Sequence, residues 1–220
     1  EALVENYRDQ FAQWWCQLRY VTSLCLTPVI DPTIVQIWFN LLFYGLGSKK
    51  QLLEDFAKIY CKDNPLIVVN GYFPNLTVKA ILNALVTKAL NVSDASVNAQ
   101  FKSVHEQIEY LQHIWAKHEQ IRSPRVKQRL HKHAQMYHDV PDRIYLLLHN
   151  IDGPALRAPR AQEWLSLLAH IPQLHVLAST DHVNAALLWD TRQLEHFNWL
   201  WLHVPTYARL SSETSYEGQS

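Results

Sequence analysis

Phe39-Asn-Leu-Leu-Phe-Tyr44, Gly45-Leu-Gly-Ser48 and Lys49-Lys-Gln-Leu-Leu-Glu-Asp-Phe56 form the continuous stretch that decides the fold. Phe39 to Tyr44 is an apolar run of strand length, and the two glycines that follow mark a tight turn. From Lys49 to about Cys61, Leu52, Leu53, Phe56, Ile59 and Tyr60 fall on one side of a 3.6-residue period, which predicts a helix. Strand, glycine turn and helix together open a parallel α/β unit.

The same alternation continues toward the C-terminus. Leu66-Ile-Val-Val69 reads as a second strand ending at Asn70-Gly71, and Thr77–Val86 as a helix that Thr77 or Asn75 can cap. Phe101–His118 is helical through Val104, Ile108, Leu111 and Trp115. Arg143–Leu148 is a third strand, Ala161–His170 a helix, Leu174–Ala178 a fourth strand and Phe197–Val204 a fifth. Short apolar strands separated by helices predict a parallel sheet covered on both faces. Upstream, Leu3, Tyr7, Phe11, Trp14, Trp15 and Leu18 recur at spacings of three and four, an amphipathic helix with an aromatic stripe. Val21–Trp38 carries Pro28 and Pro32 and keeps no period. The chain therefore divides into an N-terminal helix (1–20), an irregular insertion (21–38) and an α/β domain (39–220).

Composition narrows the function classes. A chain of 220 residues that is 48% hydrophobic can bury the core of one domain. Twenty basic residues balance twenty acidic ones, so binding driven by phosphate contacts alone is disfavoured, and any nucleic-acid contact is expected to be local or shared. Cys16, Cys25 and Cys61 are too few and too scattered for a disulfide scaffold, which points to a reducing compartment. Leu41–Tyr44 and Tyr145–Leu148 are too short to cross a bilayer, and no membrane partner is expected. The charged first residues lack a signal-peptide pattern, and the missing initiator Met suggests a fragment.

Strand, glycine turn and helix also form the setting of a phosphate-binding loop, where backbone N–H groups and a helix N-terminus hold an anion. The working sequence is G-x-x-x-x-G-K-[ST]. Started at Gly45, that template puts Lys50, Gln51 and Leu52 where Gly, Lys and Ser/Thr belong, so the magnesium-binding hydroxyl is missing. Lys49 or Lys50 could still meet a phosphate as a point charge. A working ATPase also needs carboxylates at a later strand end, to hold the metal and polarise water. Here that strand ends His149-Asn150-Ile151-Asp152, with one acid, two residues late. Two independent lesions predict a degenerate nucleotide site (Gly45, Gly47, Ser48, Lys49, Lys50; His149, Asn150, Asp152) without catalytic residues, cofactor or metal. The alternative is an active P-loop ATPase with a divergent loop.

Other clusters read more plainly. Lys117, Arg122, Arg125, Lys127, Arg129 and Lys132 face one acid, Glu119, and a charge run of this kind is first a solvated surface and second a DNA-backbone contact. His131, His133 and His138 lack the cysteine or carboxylate that completes a zinc shell. Ser179, Asp181 and His182 are crowded on one strand end without a nucleophile elbow, which argues against a hydrolase triad. Trp189, Trp199 and Trp201 suit core or subunit contacts.

Five blocks together resemble origin recognition complex subunit 2: Leu41–Lys50, Val68-Val-Asn-Gly-Tyr-Phe-Pro74, Leu147–Asp152, Leu177–Asp190, and Phe197-Asn-Trp-Leu-Trp201 with Glu213-Thr-Ser-Tyr-Glu217. The resemblance implies an AAA+-like fold of the P-loop NTPase type, a parallel sheet flanked by helices. It implies a nuclear, non-hydrolysing subunit of the ring that binds replication origins and helps load the minichromosome maintenance helicase. Its partners would be the other complex subunits, especially subunit 3, with origin DNA bound by the whole complex. Related initiators touch DNA after the Asn-Gly turn, which makes Tyr72, Phe73 and Lys79 candidates beside Arg125, Lys127 and Arg129. In the family the first helix runs almost directly into the glycine-turn strand, whereas Val21–Trp38 intervenes here. The Arg122–His138 stretch is longer than usual, and the winged-helix domain that normally follows the Glu-Thr-Ser-Tyr-Glu block is expected to be missing.

Overall fold

A computed structural model describes residues 7, 10–15, 18, 39–90, 101, 103–122 and 141–214. The expected strands form one parallel sheet: β1 (Asn40–Tyr44), β2 (Leu66–Asn70), β3 (Ile144–His149), β4 (Leu174–Thr180) and β5 (Trp199–His203), in the order β2-β3-β4-β1-β5. Every neighbouring pair is parallel, with Leu41 opposite both Leu177 and Leu200, and Val68 opposite Leu147. Five helices join them: α1 (Lys50–Tyr60), α2 (Val78–Leu90), α3 (Val104–Arg122), α4 (Pro159–Ala169) and α5 (Thr191–Phe197). None of the helices among the described residues is long and apolar enough to cross a membrane.

Successive strand residues point to opposite faces, and in the three inner strands, β1, β3 and β4, both faces are buried. Leu42, Leu146, Leu148, Val176 and Ala178 face one core with α2, α3 and α4, packed around Ile81, Leu85, Leu111, Trp115 and Leu165. Leu41, Phe43, Tyr145, Leu147 and Leu177 face the other, with Leu52, Leu53 and Phe56 of α1. The N-terminal aromatic stripe completes this second layer. Residues 10–15 are helical, and Phe11 and Trp14 are buried. Phe11 meets Phe56 edge-on at 5.3 Å, and Trp14 meets Phe43 at 4.9 Å. Trp15 lies 5.6 Å from Tyr60 and 5.7 Å from Tyr145, so its ring serves the fold itself. The irregular insertion (21–38) lies outside the described residues.

The sequence reading missed α5 and began the fifth strand too early, at Phe197. A capping box decides the helix: the Gln193 N–H donates to Asp190 Oδ1 at 2.7 Å, while the Asp190 N–H donates to Gln193 Oε1 at 3.1 Å. Asn198 then ends α5 in the left-handed region (φ 48°), and β5 starts at Trp199.

Two buried amides fix the loops that carry the strand ends. Asn40 donates to the carbonyls of Ala169 (3.1 Å) and Phe197 (2.7 Å) and accepts the Val176 N–H at 2.8 Å, joining α4, α5 and β4 to the start of β1. Gln162 donates to Ile151 O and Leu156 O, both at 2.9 Å, and accepts the Trp189 indole N–H at 2.6 Å. It thereby holds the loop after β3 in one conformation.

Because Phe11 is packed among three rings, Phe11→Ala should destabilise the domain by about 3–5 kcal/mol. Urea unfolding of the purified variant checks this, and a loss below about 1 kcal/mol would mean that the N-terminal helix is not part of the core.

Candidate functional site

In open α/β sheets the crevice outside the carboxyl ends of the strands is where ligands bind. The turn after β1 stands on that rim. Gly45 (φ 127°) and Gly47 (φ 101°) take backbone conformations that side chains resist. A Cβ at Gly47 would lie 2.6 Å from Tyr207 N and 2.7 Å from both Ala208 N and Thr206 Oγ1. Glycine is therefore required because the chain leaving β5 lies directly on the turn.

That strap, residues 204–208, is hydrogen-bonded to the turn along its length. The Val204 N–H donates to Tyr44 O at 2.8 Å, and the Thr206 and Tyr207 N–H groups both donate to Leu46 O at 3.0 Å. The Ser48 N–H donates to Ala208 O at 3.0 Å, and the Thr206 hydroxyl donates to Ser48 O at 2.6 Å. Farther on, Glu213 is fully buried, and its carbonyl accepts from the Asn70 side chain at 3.0 Å, at the end of β2. The strap thus runs from β5, at one edge of the sheet, to β2 at the other.

The turn's own polar groups are already engaged. Asp181, just after β4, accepts the Gly47 N–H at 2.7 Å. Lys49 is buried, and its ammonium donates to Gly45 O and Gly47 O (2.7 Å) and pairs with Asp181 at 3.4 Å. Burial lowers the Lys49 pKa, opposed by Asp181 and more weakly by Glu213 and Asp152. For Glu213, burial pushes the carboxyl above its ordinary range, while Ser48, Lys49 and Lys50 pull the other way.

At the end of β3, His149 is buried with neither ring nitrogen hydrogen-bonded among the described residues. Glu54 is nearest in charge, at 4.0 Å. Desolvation, helped by Lys50, lowers the His149 pKa to about 4. Asn150 follows in the left-handed region (φ 54°), its N–H donating to Ser179 Oγ at 3.0 Å. Asp152 accepts the His182 N–H at 3.1 Å, so the late acid serves the loop after β4. Gly71 packs against this turn, where a Cβ would sit 2.0 Å from Asn150 O.

The structure thus brings the two halves of the sequence-derived site to one rim. Gly45, Gly47, Ser48, Lys49 and Lys50 flank the start of α1, and His149, Asn150 and Asp152 follow β3. Tyr72 is half-buried, and Phe73 and Lys79 are exposed, all between β2 and the first turn of α2. Arg125, Lys127 and Arg129, with His131, His133 and His138, lie outside the described residues. Ser179 is occupied by the Asn150 N–H, and His182 Nδ1 accepts the Asn184 N–H at 3.1 Å, so the triad letters do not converge. No group of three or more potential ligands that could hold a metal occurs among the described residues. Asp181, Thr206 and Glu213 were not singled out as parts of this site. An acid directly after an apolar strand was the available signal for Asp181, but only tertiary structure shows that residues 204–213 return over the turn.

A five-stranded parallel sheet of this order, with a glycine turn and helix after its first strand and polar residues gathered on its carboxyl rim, defines a RecA-like domain. The chain belongs to the origin recognition complex subunit 2 RecA-like domain family, whose model matches residues 34–204. It is 34% identical over 220 residues to the origin of replication complex subunit 2 of Oryza sativa subsp. indica, covering 94% of this chain and 48% of that protein. It is 36% identical over 184 residues to the Xenopus laevis origin recognition complex subunit 2, covering 83% of this chain and 28% of that one. The chain thus spans half or less of these relatives. A chain in the structure of the Drosophila origin recognition complex bound to AT-rich DNA and Cdc6 superposes with a TM-score of 0.72 at 31% identity, covering 100% of this chain and 61% of that one.

The His149 ring generates a pH prediction. Its folded pKa of about 4 lies below its ordinary 6.5, so the unfolded chain binds more protons between them. The contribution of the neutral ring is complete above the ordinary value and is lost as pH falls toward the folded one. Glu213 has the opposite sign, since its raised pKa makes stability fall as pH rises above the ordinary carboxyl value. Between about pH 7 and pH 5 the histidine alone should cost about 2 kcal/mol. Urea unfolding of His149→Gln at both pH values should show a pH dependence smaller by about that amount. An unchanged difference from the parent chain would refute the assignment.

Proposed function

We propose that this chain is the domain by which an origin recognition complex subunit 2 takes its place in the DNA-bound initiator ring, and that it hydrolyses no ATP itself. One observation carries the non-catalytic part. The lysine nearest the phosphate position spends its ammonium on the turn's own carbonyls and on Asp181. The strand end that should supply paired carboxylates presents His149 and Asn150. Positioning and charge stabilisation are nearly all that catalysis of phosphoryl transfer requires, and both are spent within the fold.

The complex-level role is supported by the family and by the superposition on a chain of a DNA-bound complex. Subunit 3 as close partner, indirect contact with the minichromosome maintenance helicase and a nuclear location belong to the same proposal. DNA contact falls to Tyr72 and Lys79 beyond β2, and to Arg125, Lys127 and Arg129. With no net charge on the chain, these contacts act as a share of a larger surface. Trp201, partly exposed on the edge strand β5, is the aromatic residue best placed to meet a neighbouring subunit.

Purified chain mixed with magnesium and ATP should release phosphate no faster than buffer. Turnover abolished by Lys49→Met would establish the active-ATPase alternative instead. In the assembled complex, Lys79→Ala should weaken DNA binding uniformly across sequences and reduce the slope of log affinity against log salt by about 1. An unchanged slope removes Lys79 from the interface.

A further inference from the structure

A cation buried as completely as Lys49 needs an anion, and a glycine turn at a helix start needs an acceptor for its N–H groups. In this domain both needs are met from within the chain. Asp181 reaches the turn from the end of β4 and takes the Gly47 N–H and the Lys49 ammonium on one oxygen, Oδ1. A second carboxylate arrives independently on the strap. Glu213 is fully buried, and its two carboxylate oxygens have no hydrogen-bond partner of ordinary geometry among the described residues. Lys49 and Lys50 act on it electrostatically, and the strap that carries it is bonded to the turn at Leu46 and Ser48. An unpartnered carboxylate in the interior is costly unless a cation faces it, and Lys49 is the buried cation of this rim. The strap carrying it fills the space where a side chain at Gly47 would stand, while the Gly47 N–H faces Asp181.

We infer that the Gly45–Ser48 turn and Lys49 remain an anion receptor whose ligand is now the chain's own carboxylate pair, Asp181 and Glu213, and that this internal occupancy fastens residues 204–213 across the carboxyl rim. The inference rests on the reading that no nucleotide works at this site, and it adds what occupies the site instead. Asp181 supplies the hydrogen-bonded anion and Glu213 a second negative charge at the far end of the strap. The emptied chemical site becomes the anchor of the segment that leaves the sheet. Thr206 and Ala208 are bonded to Ser48 of the same turn.

Removing the internal anions should leave a receptor that an external one can fill. The experiment measures thermal unfolding of the full chain, the single variants Asp181→Ala and Glu213→Ala and the double variant, each with and without inorganic pyrophosphate and without metal. Circular dichroism verifies folding. Pyrophosphate should raise the melting temperature of the variants, leave the parent chain unmoved, and lose its effect when Lys49→Met is added. The single variants carry the test if the double variant does not fold. In Glu213→Ala, hydrogen exchange at the strap amides of Thr206 and Tyr207 should accelerate roughly tenfold or more, as expected when a charge-assisted anchor is lost. Folded variants that ignore pyrophosphate would overturn the inference, as would an equal effect on the parent chain or a rescue that survives Lys49→Met. None of these outcomes bears on ATP turnover or complex assembly, so the functional reading stands or falls separately.

Discussion

The ammonium of Lys49 is the constraint around which the carboxyl rim is arranged. It sits at the junction of β1 and α1, buried, and reaches two carbonyls of its own turn and a carboxylate from β4. An isolated charge could not remain there, because desolvation would drive it neutral. Its partners therefore dictate geometry: the turn must curl so that Gly45 O and Gly47 O point inward, and β4 must end with Asp181 beside β1. Parallel pairing of β1 with β4 supplies that neighbour, with Tyr44 opposite Thr180 and Asp181 one residue on. Such a buried pair need not stabilise more than an apolar contact would, but removing one member is expensive. The arrangement resists piecemeal change.

Much of this fold was legible because its inner strands are covered on both faces. Runs such as Ile144–Leu148 and Leu174–Ala178 have no polar alternation to confuse them, and the helices between them keep a clear period. The errors fell where local hydrogen bonding outranks hydrophobicity. Thr191–Phe197 is a helix because Asp190 and Gln193 cap each other, although Phe197-Asn-Trp-Leu-Trp201 reads as one apolar strand. Asn198, in the left-handed region, divides the two elements.

The site was legible only in part, for a related reason. A missing hydroxyl at Leu52 and missing acids at His149 and Asn150 can be read from a template. What engages the turn cannot, because Asp181 and Thr206 are separated from it by more than a hundred residues and meet it through the sheet order and the strap. The wide N-terminal aromatic stripe carried a similar ambiguity. Periodicity identifies a face to be buried but not the surface that buries it, and Phe56, Tyr60, Phe43 and Tyr145 of the same domain take that role.

The buried amides of the interior differ from the polar groups at the strand ends. Deep in the domain, Asn40 and Gln162 each make three hydrogen bonds, with both ends of the amide engaged. At the strand ends the pattern reverses: His149, Asn150 Oδ1, Asp152 Oδ1, Thr180 Oγ1 and the Glu213 carboxylate are buried without partners among the described residues. Gln107 Oε1 and Trp199 Nε1 share that state elsewhere, but neither belongs to such a cluster. On the rim itself Gly47 and Lys49 meet Asp181, Asp152 meets the loop after β4, and the strap bonds back to Ser48, which is why the turn, the late acid and the strap are best understood as one electrostatic unit.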